Sequence, residues 1–190
     1  IEAGFRIALT RSTSAEAEWK SIIVTSAAQF AYEAKYSGYD SERVVNFLLR
    51  DTDNPSSVLS VIKSARDNAR LVRTALTTEV WTSVNETWMV LTKLLEAPIR
   101  QMELPAVLAT IRQQSAVVRG ALHGTMLRND IYDFCRLGTF VERMDSTARI
   151  IDVKYYSLLP SPSLSSSSPP RVWQFVNTFS TNSHIPGKVS

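Results

Sequence analysis

Between the few glycines and prolines of this chain, apolar residues recur at three- and four-residue intervals, a spacing that predicts helices almost throughout. Ile22, Ile23, Ala27, Phe30 and Ala34 form one stripe that closes at Ser37-Gly38, where glycine can take the left-handed conformation that ends a helix. Asp40 is placed to cap a short helix carrying Val44, Val45, Phe47 and Leu48. Asp53-Asn54-Pro55 reads as a start signal, a side-chain acceptor ahead of a proline suited to a first helical turn. The helix after it, running to about Leu76, would put Val58, Ile62, Ala65, Ala69 and Val72 on one face. Thr77 or Thr78 caps a helix with Trp81, Val84, Trp88, Leu91 and Leu95 that stops before Pro98. Val107, Leu108, Ile111, Ser115 and Val118 mark another, loosened at its end by Gly120 and Gly124. A last long helix spans roughly residues 129–159 and ends at Pro160, with Leu137, Phe140, Val141, Met144, Ala148, Ile151 and Tyr155 as its core side. No stretch alternates as a strand would. The expected fold is all-α, a multi-helix bundle of about six to seven helices.

Beyond the helices the pattern changes. SPSLSSSSPP, residues 161–170, is too polar to bury the area that would offset its ordering entropy, so it reads as a solvated linker before an irregular tail. That divides the chain into a helical domain at 1–160 and a linker with tail at 161–190. An internal repeat is also visible. Ile1, Glu2, Phe5 and Leu9 align with Ile151, Asp152, Tyr155 and Leu159, and each copy is followed by a tryptophan, Trp19 or Trp173. On that reading the counterpart of 136–150 would precede Ile1, and the chain, which opens within a helical pattern, is a piece truncated at that side.

Composition narrows the setting more than the chemistry. A net charge of +3 is too small to point to a polyanionic partner. One cysteine, Cys135, excludes an intramolecular disulfide and fits a reducing compartment, where a buried structural thiol is the expected role. The longest apolar runs fall short of a bilayer span, and no leader pattern is present, so a cytoplasmic protein without membrane attachment is expected.

The densest chemistry lies in FVERMDSTARIIDVKYY, residues 140–156. At 100° per residue Glu142, Asp145, Arg149 and Asp152 fall within roughly a quarter of the helix circumference, while Arg136 and Arg143 share the other flank. Asp145 and Arg149 are in the favourable acid-before-base order at four residues. Two readings of this strip stand side by side: a salt-bridged helix surface, or a site with Glu142 or Asp145 as acid/base and Arg143 or Arg149 holding an anion. The i,i+3 carboxylates resemble half of a di-iron helix, but a histidine would be needed where Asp145 stands. With only His123 and His184 in the chain, no metal site is expected. Arg66, Arg70 and Arg73 make a second basic line, without the interleaved aromatic residues of a single-strand binder. Trp81 and Trp88, one heptad apart, read as core. Asn85-Glu86-Thr87 matches a glycosylation sequon, but in mid-helix. No phosphate loop and no nucleophile elbow occurs.

RDTDNPSSVLSVIKSARDNARLVRTALTTEVWTSVNETW (50–88), RGALHGTMLRND (119–130) and FCRLGTFVERMDSTARIIDVKYY (134–156) together resemble the bacterial alpha-E domain family, named for a helical fold and a Glu-Arg pair. The resemblance covers most of residues 1–160. Glu142-Arg143 corresponds to the ER pair, followed by the family's Asp-x-x-Ala-Arg pattern as Asp145, Ala148 and Arg149. An earlier ER helix, usual in the family, would lie before Ile1, and the tail departs from the helical continuation except at Val172-Trp173-Gln174. Family genes tend to lie beside those of ATP-grasp ligase-like and transglutaminase-like proteins. The resemblance therefore implies a scaffold or accessory partner of an ATP-grasp-type ligase in making or modifying a peptide or amide. It equally admits an enzyme of that pathway, with Glu142 as acid/base and Arg143 and Arg149 binding an anionic group. No cofactor is implied, and nucleic acid is the least favoured partner.

Overall fold

Seven α-helices and one 3₁₀ turn, with no strand, make up the residues that the computed structural model describes, 15–158, with side chains from 16 to 152. In order they are α1 (Ala15–Thr25), α2 (Gln29–Glu33), α3 (Ser41–Leu49), α4 (Val58–Leu71), the 3₁₀ turn Arg73–Ala75, α5 (Thr78–Leu94), α6 (Leu104–Thr125) and α7 (Asp130–Leu158). The expected all-α, multi-helix fold is the one observed. The repeat at 1–9, its partner tyrosine Tyr155, and the stretch from 159 onward lie outside the described side chains.

Capping residues set several boundaries where local chemistry placed them. Asp40 accepts from the Arg43 N–H at 2.9 Å and opens α3, while Thr77 accepts from the Val80 N–H at 3.3 Å and opens α5. The start of α4 lies later than the Asp53-Asn54-Pro55 signal. Ser57 caps it, and Asn54 is spent on the loop, buried with its amide donating to the Phe47 carbonyl at 3.0 Å. The expected helix through Ile22 and Ala34 is two helices. Ala27 takes a φ of 51° and closes α1, so that α2 starts with its faces turned relative to the α1 stripe. Phe30 is consequently 90% exposed, and Tyr32 enters the core in its place. Gly38 does adopt the left-handed conformation, φ 81°, after α2.

The main core joins Ile22 and Ile23 of α1, Tyr32, the Val44–Leu49 face of α3, Leu95 and Ile99 after α5, and Leu104 and Val107 at the start of α6. Arg50 ties it together by donating to the carbonyls of Leu95 (2.7 Å) and Glu96 (2.7 Å), groups that the end of α5 leaves without helical partners. Lys35 bridges Asp51 and Asp53 at 2.8 Å each and holds the loop before α4. A smaller cluster, Val80, Met126 and Tyr132, sits where α5, the end of α6 and the start of α7 meet. From there α5 packs along α4 on one side and α6 on the other. The expected faces of α4 and α6 are only partly used: of their stripes Ala69 and Val107 are buried, whereas Val72, Ala65 and Ser115 are exposed. The glycines at 120 and 124 do not end α6, which continues to Thr125.

Around Tyr32 the rings of Tyr36, Tyr39 and Phe47 lie with centroids 5.0 to 5.2 Å away. Burial, with the Asp40 charge adding to it, pushes the Tyr32 phenol up to about 12 from an ordinary 10.0. Tyr39 also rises to about 12, by burial and by donating to Glu33 at 2.6 Å. Both keep their protons to higher pH folded than unfolded. The stability they contribute is thus complete below pH 10 and lost as pH rises toward about 12. An alkaline titration followed by circular dichroism is expected to show helix loss in that window. Tyr32→Phe, with no phenol to ionise at the centre, should lose less stability across the same window, although it starts lower by about 1 kcal/mol for the missing bond to the Gly38 carbonyl.

Candidate functional site: the charged helix

α7 starts on Asn129, whose side-chain oxygen accepts from the Tyr132 N–H at 3.2 Å, and carries Asp130 and Asp133 in a first turn where the helix dipole favours acid. Tyr132, 3% exposed, anchors this end. Its hydroxyl receives the Arg136 Nη1 donor at 3.3 Å and lies 2.9 Å from His123 Nδ1. The phenol thus joins the imidazole of α6 to the guanidinium of α7. The guanidiniums of Arg128 and Arg136 stand over the tyrosine ring at 5.4 and 5.9 Å.

After this anchor, no described helix packs along α7. The side assigned to the core from its periodicity is in fact open. Leu137 is 56% exposed, Met144 68% and Ile151 62%, with Phe134, Phe140 and Val141 similarly bare. Periodicity identifies an apolar face but not what covers it, and here none of the described elements does. Among the described side chains of that stripe, Ala148 alone is half-buried.

On the adjoining flank Arg149 Nε donates to Asp145 Oδ2 at 2.8 Å, the ion pair that the four-residue spacing anticipates. Both are half-buried, and Arg149 Nη1 is shielded from solvent with no acceptor of its own. Glu142 is exposed and accepts from the Ser146 hydroxyl at 2.9 Å. Arg143 is exposed and makes no hydrogen bond or ion pair among the described residues. The fold therefore joins Asp145 to Arg149 and leaves Glu142 and Arg143 side by side but unlinked. Two depressions among the described residues, of about 490 and about 520 Å³, are lined by no residue of this strip. No group of three or more histidine, cysteine or acidic residues among those described could hold a metal ion.

Sequence reasoning misses two groupings. The Tyr132, His123 and Arg136 cluster crosses the turn between α6 and α7, where no periodic signal links residues nine apart; Cys135, half-buried, is not part of it. The other brings Trp88 and Trp81 of α5 to Arg66 of α4 and Arg73 of the 3₁₀ turn, a pairing between segments that no single-helix pattern reveals. The sequon does lie in mid-helix, with Thr87 buried.

Fold and strip together define an all-helical domain whose longest helix carries its charges and much of its apolar side in the open. The chain belongs to the Alpha-E family, described as a predicted alpha-helical domain with a conserved ER motif, and matches it over residues 1–179. No curated protein and no solved structure matches the chain. No described helix is long and apolar enough to cross a membrane.

Proposed function

We propose that this Alpha-E chain is an accessory or scaffold partner of an ATP-grasp-type ligase that makes or modifies a peptide or amide, and that it docks through α7. The observation that carries this reading is the bare apolar side of α7, with Leu137, Met144 and Ile151 each more than half exposed beside the Glu142-Arg143 pair. Contiguous apolar surface of this kind commonly marks a contact with another protein. Leaving one large apolar side chain in water forgoes about 1.5–3 kcal/mol that a partner could recover. The charges beside it fit a role in register: Arg143 has its donors free, and the Asp145–Arg149 pair is already formed. The choice of a ligase, with a transglutaminase-like protein as the other candidate, rests on the family resemblance.

A second reading has its own support in Arg149. Its Nη1 is shielded and unmatched, a donor that an anionic substrate group reaches only when the Asp145–Arg149 pair opens, with Glu142 as acid/base and Arg143 as a second anchor. Co-purification with an ATP-grasp-type ligase from the same organism separates the two. Under the scaffold reading, replacing Glu142 and Arg143 by alanine weakens the complex and lowers product with it. If the complex survives intact while product disappears, the enzyme reading replaces the scaffold. If complex and product are both unchanged, the ER pair serves neither.

A further inference from the structure

Arg66 and Arg70 of α4 and Arg73 of the 3₁₀ turn lack aromatic companions in their own segment, and α5 supplies one each to Arg66 and Arg73. The Arg66 guanidinium lies 4.2 Å from the centre of the Trp88 ring, with its Nε donating to Asn85 Oδ1 at 2.8 Å. The Arg73 guanidinium lies 4.8 Å from the centre of the Trp81 ring. Because the chain reverses between α4 and α5, Arg66 of α4 meets the second tryptophan, and Arg73, in the 3₁₀ turn beyond α4, meets the first. An arginine resting on an indole has given up part of its rotamer freedom in advance, so an anion binding to it meets a smaller ordering cost. Between the two stacks stands Arg70, exposed and with no hydrogen bond or ion pair among the described residues. No ion pair among the described residues engages any of the three.

Trp88 belongs to a second feature. Together with Leu59, Met89 and Leu95 it walls the depression of about 520 Å³, whose rim includes Lys93, Glu96 and Arg50, the last already donating to the Leu95 and Glu96 carbonyls. The cationic row and an apolar seat are therefore continuous through one side chain. Arg66 and Arg70 stand one turn apart on α4, about 6 Å along its axis, with Arg73 following in the 3₁₀ turn, and carboxylates three and four residues apart on an opposing helix make a row of comparable length.

We infer that this face of α4 and α5 is a docking groove for an acidic amphipathic helix of a partner protein, with one apolar side chain seated against Trp88 and carboxylates on Arg66, Arg70 and Arg73. Guanidiniums recognise carboxylates through paired N–H donors, and a helix-in-groove contact combines such a row with an apolar anchor. Nucleic acid fits less well. Each indole already has a guanidinium over its face, which removes the stacking platforms that supply about 1–3 kcal/mol per base in single-strand binders. The groove is built from α4 and α5 without any residue of α7, and the inference does not rest on the ligase reading.

The test is fluorescence anisotropy on the full chain with labelled synthetic helical peptides. These carry one leucine and, a turn further on, three glutamates at either i, i+3, i+7 or i, i+4, i+7, to serve both chain directions. Controls are scrambled peptides of the same composition and a single-stranded oligonucleotide. One registered peptide is expected to bind about tenfold or more tighter than its scramble, and Arg70→Glu to remove that advantage. Arg70 has no hydrogen-bond or ion-pair partner among the described residues, so this variant should retain its helical spectrum. The inference is overturned by equal binding of registered and scrambled peptides, by indifference to Arg70→Glu, by tighter binding of the oligonucleotide, or by no binding at all.

Discussion

Truncating Tyr32 to alanine is expected to be the most damaging single substitution in this protein, lowering the unfolding free energy by about 3–5 kcal/mol, as aromatic-to-alanine changes in closed cores do. Three terms add. The ring has no exposed surface, so its removal leaves a cavity bounded by Phe47, Tyr36 and Tyr39. The stacked Tyr39 loses its neighbour at 5.0 Å, a contact worth about 0.5–1.5 kcal/mol beyond burial. The Gly38 carbonyl loses its donor at 3.0 Å, just where the chain turns through its left-handed glycine. Chemical denaturation checks the value. The neighbouring Phe30→Ala offers the contrast: with that ring 90% exposed, the change should stay within about 0.5 kcal/mol. Equal losses at the two positions would mean that α2 does not present Tyr32 inward.

The opposite pattern is expected on α7. The double variant Leu137→Gln and Met144→Gln should leave the unfolding midpoint nearly unmoved while weakening the proposed ligase complex by at least about a hundredfold. The first half follows from exposure, 56% and 68%, and from glutamine's good helix propensity. The second follows from arithmetic: two apolar side chains at about 1.5 kcal/mol or more each amount to about 3 kcal/mol, or two decades in dissociation constant. Thermal unfolding and co-purification are the two readouts. A midpoint lowered by several degrees would show that this face packs within the chain itself, and a complex of unchanged affinity would show that the partner binds elsewhere.

These two predictions mark the line between features legible in the sequence and features that are not. The caps at Asp40 and Thr77, the stop before Pro98 and the Asp145–Arg149 pair follow from interactions within a few residues, and the sequence contains both members of each. Asn54 departs from its expected role because its side chain has two outlets, the next helix or the preceding one. The Phe47 carbonyl it bonds to is exposed to it only in the folded turn.

By itself, then, the sequence determined an all-α fold for the helical domain, several of its helix boundaries, the charged strip on the last helix and the family to which it belongs. Tertiary structure alone decided that Tyr32 and not Phe30 is buried, because Ala27 breaks the helix and turns the residues after it. It alone decided that the apolar side of α7 is open and that two tryptophans rest under two arginines. The reason is common to all three. A helical period states that one face differs from the other, but burial is a property of two surfaces, and the second surface belongs to residues far along the chain.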